Sequence, residues 1–138
     1  MRAGAARGQA AAAMVMVHGR GATAQSILTL ADVLRGPQFT YLAPQASGNT
    51  WYPQSFMAPM TANEPGITTG LQAISDVLAT LEAEGIPLER TVLLGFSQGG
   101  CLASEYVARN ARRYGGLAAL SGGLIGPAGT VGDYPGTL

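Results

Sequence analysis

A mainly parallel β-sheet with helices on both faces, the α/β class, is the fold the sequence predicts, and three observations predict it. Short apolar runs ended by glycine or proline alternate with segments that are apolar at helical spacing. The runs are continuously apolar rather than alternating, as in strands buried on both faces. One of them, Thr91–Phe96, passes through Gly95-Phe96-Ser97-Gln98-Gly99 straight into a helical segment. That is a Gly-x-Ser-x-Gly turn in the context of strand, sharp turn and helix.

Taken in order, residues 12–17 form the first apolar run, and His18-Gly19-Arg20-Gly21 follows it. The pattern predicts a helix over 24–35, with Ile27, Leu28, Leu30, Ala31 and Leu34 at helical spacing. Thr23 is its N-cap, and Gly36-Pro37 is its stop. Residues 39–43 read as the next strand. From 45 to 69 periodicity is lost, and a structureless loop of that length in a compact domain is usually functional. Its Trp51, Tyr52, Phe56, Met57 and Met60 suit the wall of a pocket for an apolar group; the alternative is a surface loop pinned by a few aromatics. A second helix is expected over 71–84 and a third from the Ser97 turn to about Arg112. A fourth strand is expected over 116–121, and 122–138 has no core-forming pattern. In an open parallel sheet, chemistry gathers beyond the carboxyl ends of the strands, where the His18 loop, the Trp51 loop and Ser97 all fall.

Composition narrows the function classes. At 138 residues the chain reads as one domain, 1–138, with 47% hydrophobic and only 12% charged residues, which excludes disorder. The formal net charge is zero, so nucleic acid and anionic membrane are not expected partners. Cys101 is the single cysteine, which excludes an internal disulfide and a cysteine-based zinc site and reads as a small packing residue. No apolar run reaches the ~18 residues of a membrane span. Residues 1–13, alanine-rich with Arg2 and Arg7, faintly resemble a signal peptide, but cleavage after the apolar run would remove the His18 loop. The expectation is a cytoplasmic protein with a frayed N-terminus.

Serine is a poor nucleophile at neutral pH and needs a base, usually a histidine oriented by a carboxylate. Ser97 is the candidate nucleophile. The tetrahedral intermediate also needs two preorganised N–H donors. One is expected from the residue after the serine, Gln98. The other is expected from the early loop, as the main-chain N–H of Arg20 between its two glycines, with the guanidinium simply solvated.

Four stretches, V-M-V-H-G-R-G-A-T-A, A-P-Q-A-S-G-N-T-W-Y-P, L-L-G-F-S-Q-G-G-C-L-A-S-E-Y and L-S-G-G-L-I-G-P, together resemble the phospholipase/carboxylesterase family of α/β-hydrolases. The resemblance runs from about Met14 to about Pro127. It implies an α/β-hydrolase fold and hydrolysis of carboxylic esters, with thioesters or lysophospholipids as further options, without metal or cofactor. It places Ser97 as nucleophile, the N–H groups of Arg20 and Gln98 in the oxyanion hole, and Trp51 near the acyl pocket, whose wall the loop's own Tyr52 and Phe56 would complete.

The sequence departs from the family in one respect. There the triad acid and histidine follow the nucleophile. Here the only histidine, His18, precedes Ser97, and the acids after it are Glu105 and Asp133. Glu105 lies eight residues along the helix and is expected to point away from the serine oxygen. His18 is expected to brace the loop rather than act as base. The chain therefore reads as about two-thirds of the domain. Two readings remain: an esterase whose histidine and acid come from a second polypeptide or a C-terminal segment, or a truncated, catalytically incompetent hydrolase form. The second leaves a sheet edge near 116–121 open to pairing with another chain, including as a dimer.

Overall fold

The computed structural model describes residues 1–130 apart from Arg35 and Pro37. Five strands form one sheet in the order β1-β3-β2-β4-β5. They are β1 (Arg2–Gly4), β2 (Ala12–Val17), β3 (Phe39–Leu42), β4 (Thr91–Phe96) and β5 (Gly116–Leu120). β2, β3, β4 and β5 run parallel, and β1 lies antiparallel on β3. Helix α1 (Ala24–Leu28) continues into α2 (Leu30–Leu34); α3 (Gly66–Ala83) and α4 (Gln98–Arg109) complete the set.

The larger core joins α3 and α4 to one sheet face through Val15, Val17, Leu93, Ile67, Ile74, Leu81 and Leu102, all essentially inaccessible to water. On the other face α1 packs Ile27 and Leu28 against Met16, Tyr41 and Leu94. This two-sided covering is why the β2 and β4 sequences are apolar throughout rather than alternating.

Four elements differ from the sequence expectation, each for a physical reason. Residues 2–4, expected to fray, form β1: Arg2 pairs with Leu42 in register, and Arg2 and Arg7 both reach Glu84 Oε1, at 2.5 and 2.9 Å. The helix expected over 24–35 is broken at Thr29, whose hydroxyl donates to Ser26 O at 2.6 Å and competes with the helical ladder; Arg35 itself lies outside the described residues. The Thr23 cap is present as a full capping box with Ser26. Helix α3 begins at Gly66, five residues before Leu71, although Gly66, Thr68, Thr69 and Gly70 are poor helix formers. Packing overrides propensity there. A Cβ on Gly66 would sit 2.6 Å from Trp51 O, and one on Gly70 2.8 Å from Leu102, so only glycine lets α3 approach the loop and α4 this closely. Finally, α4 ends at Arg109 rather than near Arg112.

Candidate active site

Ser97 stands at the carboxyl end of β4, exposed, as the residue just before α4. Its backbone has φ 55° and ψ −116°, a left-handed conformation that costs a non-glycine residue on the order of 1–3 kcal/mol. Its hydroxyl makes no capping bond to the helix it precedes. The neighbouring glycines are dictated by space. A Cβ at Gly95 would lie 2.2 Å from Gly99 O, and one at Gly99 would lie 2.0 Å from Val17 O. The turn is therefore folded back onto β4 and crossed by the end of β2. Ser97 N donates to Leu120 O at 2.8 Å, which ties the turn to β5 as well.

The loop after β2 lies against the same turn. A Cβ on Gly19 would sit 3.1 Å from Phe96 O and 3.6 Å from Ser97 Cβ. Among the described residues the main-chain N–H groups of Arg20 and of Gln98, the first residue of α4, have no hydrogen-bond partner, and neither do those of Gly19, Gly99 and Gly100.

His18 is completely buried. Its Nε2 accepts from Ala46 N at 3.0 Å, so Nδ1 carries the proton and donates to Gly19 O at 2.8 Å. Both ring nitrogens are occupied in bracing two loops, in line with the bracing role expected for it.

Trp51 does not face the cleft. It is 6% exposed, stacks on the His18 ring with centroids 5.0 Å apart, and donates its indole N–H to His18 O at 2.8 Å. Tyr52 and Phe56 do line the cleft at Ser97, a space of about 270 Å³ walled by Arg20, Ser55, Gln98, Cys101 and Ser121 as well. Burial, with the Cys101 thiol beside it, pushes the Tyr52 phenol well above its ordinary value; the nearby Arg20 guanidinium pulls weakly the other way. Tyr52 therefore stays protonated, a neutral wall.

The Arg20 guanidinium is exposed, as expected, and also donates to Pro53 O at 2.9 Å and Gln54 O at 2.6 Å. The Gln98 side chain, which sequence reasoning left without a role, spans Trp51 N and Tyr52 O, both at 2.8 Å. Asn63, also missed, is buried and holds Gln54 N and Ser55 O. Ser121 was missed as a cleft residue; its positive φ of 55° directly after β5 turns it there. Glu105 is buried and engaged elsewhere, accepting from Ile125 N at 3.0 Å and pairing with Arg109 at 2.7 Å. Asp133 lies outside the described residues.

A mostly parallel sheet with a strand–serine–helix turn at the carboxyl end of a central strand defines an α/β-hydrolase. Comparison with known families bears on this directly: the phospholipase/carboxylesterase profile matches residues 3–132, and the chain belongs to that family. Among solved structures it is similar to a phospholipase/carboxylesterase from Dyadobacter fermentans DSM 18053, at 47% identity and TM-score 0.94, covering 99% of this chain and 65% of that one. It is also similar to esterase PE8, at 26% identity and TM-score 0.76, covering 91% and 64% respectively. SOBER1 of Arabidopsis thaliana, 23% identical with TM-score 0.60 over 80% of this chain and 61% of that one, shares the fold. The chain thus spans 61–65% of the length of these three structures. Among the described residues no helix is long and apolar enough to cross a membrane.

Proposed function

We propose that this chain carries the nucleophile portion of a serine carboxylesterase. Ser97 Oγ attacks the carbonyl carbon of a carboxylic ester, its proton passing to a base. The tetrahedral oxyanion is held by the main-chain N–H groups of Arg20 and Gln98. Collapse breaks the bond to the alcohol oxygen, which leaves with that proton, and water then releases the acid from the acyl-serine by the reverse sequence. The observation that carries this reading is the strained Ser97 backbone, at φ 55°, in a cleft that Arg20 and Gln98 also line. A turn that stores strain around an uncapped, exposed hydroxyl is poorly explained by folding alone.

Two features support a substrate class. The cleft of about 270 Å³ has room for on the order of nine water-sized groups. Phe56 and Tyr52 give it apolar walls, and these favour short acyl or aryl esters. The base is not His18, whose nitrogens are both spent. The histidine and its carboxylate come from outside the described residues, in a C-terminal segment or second polypeptide that docks beside β5. One observation favours the second reading, a catalytically incompetent hydrolase form: the sequence holds a single histidine.

Intact mass before and after a fluorophosphonate probe, with Ser97→Ala alongside, separates the two. Prompt labelling that Ser97→Ala abolishes, in material containing a histidine-bearing segment, supports the esterase. No labelling of the 138-residue species under any condition makes it the incompetent form.

A further inference from the structure

We propose that the side chains of Arg20 and Gln98 are positioning residues: each clamps residues 51–54, and the clamp fixes the two main-chain N–H groups and the cleft wall as one unit. The proposal rests on the esterase reading for its effect on rate, though not for the clamp itself.

The geometry is reciprocal. Gln98 takes Trp51 N–H on Oε1 and gives Nε2–H to Tyr52 O. Arg20 gives Nη1–H to Pro53 O and Nη2–H to Gln54 O, its guanidinium 5.8 Å from the Tyr52 ring centre. Four consecutive residues are thus held by the side chains of the same two residues, Arg20 and Gln98, that line the cleft with Ser97 and whose main-chain N–H groups are unpaired. The Gln98 amide is 5% exposed, with both ends satisfied, so removing either bond strands a buried polar group.

Arg20 needs the clamp for a different reason. It sits between Gly19 and Gly21, the latter at φ 76°, so its peptide has little intrinsic restraint. The fork of its guanidinium on two successive carbonyls supplies what the glycines remove. A lysine, a compact ammonium without the planar fork, grips the two carbonyls less rigidly.

The main-chain N–H survives in Arg20→Ala, Arg20→Lys and Gln98→Met, so a loss in kcat at unchanged KM reports positioning, whereas a raised KM would report lost substrate contact by these cleft-lining side chains. The test uses the chain with its complementing histidine-bearing segment and p-nitrophenyl acetate. The expected result is a fall in kcat of about tenfold in Arg20→Ala, smaller in Arg20→Lys, and up to about a hundredfold in Gln98→Met, with KM within about twofold. Guanidinium ion added to Arg20→Ala should restore part of the loss. A second arm needs no turnover: amide order parameters at residues 20 and 98 should drop from rigid values near ~0.85 toward ~0.6, and emission from the single tryptophan, Trp51, should shift to the red. Unchanged order parameters in all three variants overturn the clamp. Loosened amides with an unchanged kcat overturn its role in positioning. Failure of the wild type to turn over counts against the esterase reading, and the order parameters then decide the clamp by themselves.

Discussion

At the residue scale, the site is built from glycines that leave room and a serine that accepts strain. Both were legible in the sequence, because a Gly-x-Ser-x-Gly run between a strand and a helix has few structural uses. Space around the glycines turns that pattern into a prediction. In Gly99→Ala the new methyl would meet the Val17 and His18 carbonyls, at 2.0 and 2.5 Å, which are backbone and cannot swing aside. Urea titration should find the variant destabilised by about 3 kcal/mol or more, or insoluble; a loss below about 1 kcal/mol would show that β2 does not cross the turn as described. The roles of the Arg20 and Gln98 side chains were not legible. Their partners lie 33 to 47 positions away, and no local pattern marks a hydrogen bond to a distant carbonyl.

Among the elements, those held by their own pattern were read to the residue: β2 and β4 have the bounds their apolar runs indicate. Those held by neighbours were not. β1 is three residues long and survives by pairing with β3, and the first turn of α3 forms because Gly66 and Gly70 allow close packing. The connection from α4 to β5 carries a pH dependence. Tyr114 donates its hydroxyl to Asn110 O at 2.6 Å. Burial, and next Tyr106, push its phenol up to about 12, with Arg112 opposing weakly. A value raised on folding leaves stability intact below the ordinary value of 10.0 and removes it as pH climbs through about 12. Thermal denaturation between pH 9 and about 12 should therefore show Tm falling above pH 10, less steeply in Tyr114→Phe. Equal slopes would exclude Tyr114 as a contributor. The Tyr52 phenol, raised in the same direction, keeps part of the slope in the variant.

At the scale of the whole molecule, the sheet ends unevenly. β1 is short and tied down by two arginines on Glu84, whereas β5, at the other edge, has neither charge nor proline to blunt it. On β5 Leu117 and Leu120, three residues apart and so on opposite faces, are 41% and 44% exposed. Phe96, paired with Leu120, is 52% exposed, so among the described residues the edge carries exposed apolar side chains on both faces. The expectation is concentration-dependent self-association of the 138-residue chain in sedimentation velocity, reduced by Leu117→Lys. A monomer at every concentration tested, for the parent chain, would sink it. Addition of the histidine-bearing segment should suppress the association by competing for the edge.

By itself the sequence determined the parallel α/β arrangement, the bounds of the two central strands and the serine turn, because each is a local constraint written in consecutive residues: burial on both faces, a helix cap, space for a crossing chain. The tertiary structure alone decided that Trp51 goes into the core to stack on His18 rather than into the cleft, that the exposed Arg20 guanidinium also holds a loop, and that the N-terminal residues extend the sheet. Those outcomes depend on which distant carbonyls, rings and edges are brought within reach, and that is set only when the chain has closed on itself.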